Sequence, residues 1–412
     1  MELKEKIRYF MRLKGDKVLW VILAALAVIS ILVVYSSSAK MGYSVREARS
    51  VTDLLYEQLK NVIRCALVLW GLHNINCRFY GRAAWFIYWG CWLLTLAPYF
   101  KSSAINDAHR WIFGIQPNEA LKIATVIVLA RQLAARQAII DKIKLIPTLN
   151  PMKLFSVPAN RKVLREHTIP ILFPVVMSCA VILPAHTSAA LLVFVISLIM
   201  MYVGRVRRFE LLKIIVLAGA LGLLLSAARL GRTDTAGGRF STWTKTLLES
   251  RSEVAARDLT DTERSMIAIY EGGLFGKGAG QSAVRVELTH PECDYTFAFF
   301  VEEYGLFMAL IVMSFYMWIA VRGIVIFTRC ETAFPGLLVL GLVMIVALQA
   351  LLHIFVSVNF FPETGQTLPF ISRGGSSMLF ATIAMAIVLG VSRQNDEKSH
   401  ETPRGESMLE RG

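Results

Sequence analysis

The chain has 412 residues, 55% of them hydrophobic, and its 44 Lys and Arg against 30 Asp and Glu leave a formal net charge of +14. A mean hydropathy of +0.53 exceeds what a soluble domain carries, where apolar residues are roughly half or fewer, so the composition specifies an integral membrane protein. The basic residues gather between apolar runs instead of interleaving with aromatics on a soluble face, which argues against nucleic acid as a partner and for retention on the cytoplasmic side of a membrane.

Residues 1–17 form a basic cytoplasmic segment with Lys4, Lys6, Arg8, Arg12, Lys14 and Lys17. The apolar run that follows, Val18 to Tyr35, is longer than a cleaved signal core of about 7–15 residues and reads as a retained span. A helix crosses a hydrocarbon layer about 30 Å thick with roughly 20 apolar residues. On that measure spans are predicted at 18–37, 56–74, 82–100, 118–136, 169–184, 187–203, 209–230, 296–321, 333–357 and 374–393. Pro170, Pro174 and Pro184 make the fifth and sixth the least regular. The fold class is therefore all-α integral membrane, about ten transmembrane helices in a membrane domain over 18–393.

With the N-terminus inside, Arg78 and Arg82, the cluster from Arg131 to Arg165, Arg205 to Arg208, and Arg322 with Arg329 all fall on the cytoplasmic side, as the positive-inside rule requires. Lys40, Arg46 and Arg49 count against it. Both termini are then cytoplasmic, and 231–295 becomes a large extracytoplasmic loop between the seventh and eighth spans. Within it Phe240, Trp243, Leu247 and Leu248 recur at helical spacing beside Arg239, Lys245 and Arg251, a pattern for a helix in the interface or one packed on the bundle. The tail 394–412 is polar and of mixed charge, and is expected to be disordered. The six cysteines show no CxxC or metal spacing, so they read as small packing residues and no disulfide framework is expected. Function is left to the helices and the 231–295 loop.

The densest chemistry lies in 271–305, EGGLFGKGAGQSAVRVELTHPECDYTFAFFVEEYG. Five glycines from Gly272 to Gly280 permit sharp backbone bends close to a ligand. Lys277, Gln281, Ser282 and Arg285 follow, then Glu287, His290, Glu292 and Asp294, at the mouth of the eighth span. A carboxylate there is costly and usually functional or paired.

Three segments resemble the SEDS family, polytopic proteins that polymerise peptidoglycan glycan strands from lipid II. GGLFGKGAGQS at 272–282 with PECDYTFAFFVEEYG at 291–305 is similar to the family's glycine-rich segment and its aspartate motif. ETGQTLPFISRGGSS at 363–377 is close to the family's signature, and RWIFGIQPNEALK at 110–122 resembles a third conserved segment. The stretch 14–39 is more similar to the division-associated branch than to the elongation-associated one. One departure is the segment from Pro184 to Ser188, where many members carry a carboxylate and this chain has His186, which reads as an interfacial polar residue.

The resemblance implies a lipid II-polymerising glycosyltransferase in the bacterial cytoplasmic membrane, partnered by a class B penicillin-binding protein transpeptidase and other divisome proteins. It places Asp294 on the family's essential aspartate. Polymerisation needs a base for the attacking 4-hydroxyl, a role a carboxylate fills, and positive charge or amides for the leaving pyrophosphate. Asp294 is the expected catalytic base. Arg110, Lys122, Arg239, Lys277, Arg285 and Arg373 are the cationic candidates, and Gln281, Ser282, Glu287, Thr364, Ser372, Ser376 and Ser377 complete the expected substrate-binding set. Asp294 and Glu287 offer oxygen ligands for a divalent cation, Mg2+ or Mn2+; no organic cofactor is expected. Glu119 and Lys122, three apart on one helical face, alternatively pair with each other. Pro362, Pro369 and the glycines at 365, 374 and 375 predict irregular backbone lining a cavity, or a tight helix contact through small residues. Two rival functions need the same features, a lipid II flippase and a non-catalytic divisome scaffold.

Overall fold

The computed structural model describes residues 14–38, 51–101, 114–148, 156–227, 233–248, 259–282 and 293–409. They form helices α1 (Lys17–Ser38), α2 (Val51–Leu72), α3 (Cys77–Lys101), α4 (Pro117–Ala134), α5 (Pro158–Ile182), α6 (Thr187–Val203), α7 (Arg208–Ala227), α8 (Thr233–Leu248), α9 (Asp261–Gly272), α10 (Thr296–Thr328), α11 (Ala333–Ser357) and α12 (Gly375–Leu409). There is no β-strand among the described residues.

Each of the ten stretches read as spans coincides with one helix of this set. Five are long and apolar enough to cross a membrane on those grounds alone: 17–36 of α1, α5, α10, α11 and 375–398 of α12. α6 is equally apolar but has only 17 residues, and α4 carries Glu119, Lys122 and Arg131 within its length.

α4 is the axis of the bundle. Nearly every residue from Pro117 to Leu133 is buried, the mark of a helix surrounded on all faces, and it packs against α3, α5, α6, α11 and α12. Small residues let neighbours close in: a Cβ on Gly341 would lie 2.5 Å from a Val126 methyl, and one on Gly323 2.7 Å from the Val343 methyls. Outward-facing Phe86, Phe209, Leu223 and Leu67 remain exposed, as lipid-facing side chains do.

α10 sets the height of the molecule. From Thr296 to Arg322 it rises about 39 Å at 1.5 Å per residue, with a break at Gly305, whose φ of 82° and ψ of 168° are not helical. α1 lies beside it: Ser36 bonds Glu303 near one end, and Asp16 pairs with Arg322 at the other, where the Arg322 Nε donates to Asp16 Oδ2 at 2.8 Å.

Two departures from expectation stand out. The 231–295 loop holds, besides α8 where helical spacing suggests a helix, a second helix among its described residues, α9, opened by a capping box of Thr260 and Glu263. The tail expected to be disordered from 394 is helical through Leu409. Its first turns are anchored: Gln394 accepts from Cys77 N, Arg393 pairs with Glu397 at 3.3 Å, and Lys14 reaches Glu397 at 3.0 Å. Contacts to Cys77 of α3 and to Lys14 support the helix at these first turns.

Candidate functional site

Asp294 lies in the turn that opens α10 and is half-buried. The turn is clamped to the 363–377 segment. Ser372 Oγ donates to Cys293 O at 3.2 Å, meets Thr296 Oγ1 at 2.9 Å and accepts from Leu368 N at 2.8 Å. The Cys293 thiol in turn donates to Arg373 O at 3.2 Å, so this cysteine packs, as read. Irregular backbone with Phe370 at φ 67° thus holds both flanks of Asp294, and the carbonyls of Gln366, Thr367, Pro369 and Arg373 each meet a partner inside the protein, as backbone at membrane depth must.

Beside it Tyr295 is buried, its hydroxyl 3.2 Å from Thr262 Oγ1 of α9. Burial, with the Glu363, Asp261 and Asp294 carboxylates nearby, pushes this phenol well above the usual tyrosine range. The neighbourhood of Asp294 is therefore rich in negative charge. From α8, Arg239 donates to Glu363 O at 3.3 Å and Trp243 Nε1 to Asn359 O at 3.1 Å, so this helix packs on the bundle through those two residues while Phe240 stays exposed. Thr364 O accepts from Ser188 at 2.8 Å.

The glycine-rich segment does something other than cradle phosphate. Lys277 N donates to Glu302 O at 2.9 Å, Gly278 N to Glu303 O at 3.0 Å, and Gly280 N to Glu303 Oε1 at 3.0 Å and Ser36 Oγ at 2.7 Å. These amides are spent on α10, about 12 Å along the helix from Asp294. Lys277 bridges Glu271 and the fully buried Glu302, 3.0 Å away, and Ser282 bonds Glu302 as well. Glu302 and Glu303 were missed as site residues; two adjacent carboxylates inside an apolar run of membrane length were the signal.

Lys122 is buried, with its ammonium 2.8 Å from Glu119 and 2.8 Å from Gln349 Oε1, so the pairing alternative is the geometry found. Gln349 continues to Thr367 O at 3.1 Å and Thr367 to Ser377 at 2.7 Å. A void of about 10 Å³ between Glu119, Gln349 and Ser377 takes one water at most. Ser376 Oγ is buried and has no hydrogen-bond partner among the described residues, while Gln281 is exposed. His186 is buried: it caps α6 and reaches Gly365 O at 3.3 Å, with Gln366 beside it. Buried Gln366 also links to His353, whose Nδ1 is 2.7 Å from Gln366 O.

The structure thus brings Arg239, Thr364, Ser372, Ser376 and Arg373 to the same end as Asp294, sets Lys122 and Ser377 in one buried network, and joins the exposed Lys277 and the buried Ser282 separately on Glu302. Arg110, Arg285, Glu287, His290 and Glu292 lie outside the described residues. Among the described residues no three His, Cys, Asp or Glu side chains converge as metal ligands; Glu287, the expected companion of Asp294, lies outside them.

Comparison with known proteins agrees with this arrangement. The sequence profile of the FtsW/RodA/SpoVE family, described as cell cycle protein, matches residues 16–397. A protein of Coxiella burnetii named probable peptidoglycan glycosyltransferase FtsW is 29% identical over 315 residues, 74% of this chain and 76% of its own. The rod shape determining protein RodA of Thermus thermophilus superposes with a TM-score of 0.59 at 20% identity, covering 92% of this chain and 97% of that one. A chain from a peptidoglycan synthase complex that coordinates polymerization and crosslinking gives 0.65 at 18% identity, covering 92% and 98%; at these identities the likeness is one of fold. The chain is a multi-pass bacterial membrane protein and belongs to the FtsW/RodA/SpoVE family of cell cycle proteins, the SEDS family.

Proposed function

We propose that the chain is a glycosyltransferase of cell wall synthesis that polymerises lipid II at the extracytoplasmic face, in cell division, with both termini cytoplasmic. The observation that carries this is the placement of Asp294, a half-buried carboxylate in a turn whose two flanks are tied to the 363–377 segment by Ser372 and Cys293. A lipid-linked sugar would sit at that rim while its prenyl chain stays in hydrocarbon.

In the reaction the 4-hydroxyl of one sugar attacks the anomeric carbon of another, and the bond to the polyprenyl pyrophosphate breaks. Asp294 takes the hydroxyl proton as the new bond forms. Arg239 and Arg373 stand at the same end and offset the charge that develops on the pyrophosphate.

The division role draws on the relative named FtsW, and a transpeptidase partner of the class B penicillin-binding type on the complex from which one structural neighbour comes. The deciding experiment is polymerisation of purified lipid II by the chain with and without such a transpeptidase, comparing wild type with Asp294→Asn and Asp294→Ala. Both variants should fold and yield no polymer. Polymer from Asp294→Asn at the wild-type rate would overturn the assignment, and lost transport of lipid II across vesicles would point to a flippase. An EDTA arm reversed by Mg2+ or Mn2+ would assign a cation to Asp294 with Glu287.

A further inference from the structure

At the end of the bundle opposite Asp294, the first turn of α3, the last turn of α4 and the first turn of α11 surround an open pocket of about 330 Å³ lined by Arg78, Gly81, Arg82, Arg131 and Phe334. The separation from the proposed active site is set by α11: Gln349 touches Lys122 and Thr367, and Phe334 lies fifteen residues earlier, about 22 Å away along the helix. Gly81 permits the close approach of Phe334, whose ring would lie 3.1 Å from a Cβ at that position.

Three guanidiniums share this pocket, and none of them forms an ion pair with any described residue. Retention of positive charge at a membrane end does not require convergence: three like charges around one space repel each other, and the arrangement is stabilised when an anion lies between them. Guanidinium is the side chain suited to phosphate, which it meets with paired N–H donors.

The surface below the pocket says what carries the phosphate. Residues 78, 82, 86, 89 and 93 fall within about 80° of arc on a helix turning 100° per residue. The upper two are arginines, and the next three are Phe86, Trp89 and Leu93, exposed by 86%, 39% and 60%. A charged head at the helix end continuous with an exposed apolar lane along it is the outline of a lipid.

We propose that Arg78, Arg82 and Arg131 form a binding site for the phosphate of an anionic glycerophospholipid, whose acyl chains lie along Phe86, Trp89 and Leu93 of α3. The site is independent of the Asp294 chemistry. With the N-terminus cytoplasmic, it takes its lipid from the inner leaflet.

The test is native mass spectrometry of the full-length protein in detergent, titrated with phosphatidylglycerol, with phosphatidylcholine, and with soluble glycerol 3-phosphate. Phosphatidylglycerol should bind saturably and at least tenfold more tightly than either comparator. The triple variant Arg78→Gln, Arg82→Gln, Arg131→Gln should lose at least tenfold of that affinity. A charge-matched control, Arg161→Gln, Lys162→Gln, Arg165→Gln, removes three exposed cations elsewhere and should keep it. Should the triple variant not fold, the exposed single replacements Arg78→Gln and Arg82→Gln should each weaken binding severalfold. Equal binding by variant and control, or equal binding of phosphatidylcholine, would overturn the site. Glycerol 3-phosphate binding as tightly as the lipid would overturn the lipid and leave a soluble phosphate in its place.

Discussion

Gly276 and Gly305 meet backbone to backbone: a Cβ on Gly305 would stand 2.5 Å from Gly276 N, and one on Gly276 2.2 Å from Glu303 O. Both residues are in the left-handed region, at φ 78° and 82°. The break in α10 and the bend of the glycine-rich segment are therefore one joint, and it holds Glu302 and Glu303 against Lys277, Ser282 and Ser36.

Replacing either glycine by alanine should open that joint. The unfavourable φ alone costs about 1–3 kcal/mol, and contact with rigid backbone adds to it because no side chain can swing away. Gly276→Ala and Gly305→Ala should each lower the thermal midpoint of the purified protein by several degrees and reduce polymer yield. Gly280→Ala, which meets no atom within 4 Å but has φ 78°, should show the smaller, conformational part only.

Lys277 predicts a pH dependence. Its hydrogen bond to Glu271, then that to Glu302 and the charge of both carboxylates, raise its pKa above the ordinary lysine value, against a lowering by burial. A cation whose pKa is higher folded than unfolded contributes its full stabilisation below the unfolded pKa and loses it as pH rises through the folded one. The clasp should thus be constant from pH 6 to 9 and fail only above the usual lysine range near 10.4. Thermal midpoints across pH should show an alkaline decline in wild type that is shallower in Lys277→Met.

Much of the fold was legible because membrane thickness imposes it: the apolar stretches fall on helices, five of them long and apolar enough to cross a membrane among the described residues, with Pro174 inside α5. Asp294 stands out in the sequence because a carboxylate at the mouth of a span has few bland explanations, and it lies half-buried in the turn that opens α10. What the sequence hid were long-range partners. Nothing local in GGLFGKG says that its amides will be consumed by the main chain at Glu302 and Glu303, some 25 residues on, nor that His186 will be buried against Gly365 and Gln366. Periodicity sees neighbours three or four residues apart, which is why Glu119 with Lys122 was foreseeable and Gln349 was not.

That buried pair makes its own prediction. Lys122→Met leaves Glu119 without its cation in the most enclosed helix of the bundle, and breaking a buried pair from one side costs about 3–5 kcal/mol. Glu119→Gln with Lys122→Met removes both charges and should restore most of the lost stability, measured by thermal unfolding in detergent. If the double variant is as unstable as the single one, the pairing does not explain the burial of Lys122.

Ser372 and Ser376, four residues apart, should separate positioning from substrate contact. Ser372 Oγ joins Cys293 O, Thr296 Oγ1 and Leu368 N, so Ser372→Ala strands the Leu368 N–H in a buried turn, at about 1–3 kcal/mol, leaves Thr296 Oγ1 and Cys293 O only each other at 3.3 Å, and loosens the flank of Asp294. It should lower both the thermal midpoint and kcat. Ser376 Oγ is buried without a partner among the described residues, so its removal deletes an unmet polar group instead of breaking a bond. Ser376→Ala should leave the midpoint equal or higher, and if the hydroxyl is held for a sugar or phosphate oxygen, it should raise KM for lipid II severalfold. A fall in stability in Ser376→Ala matching that in Ser372→Ala would place both serines in the scaffold.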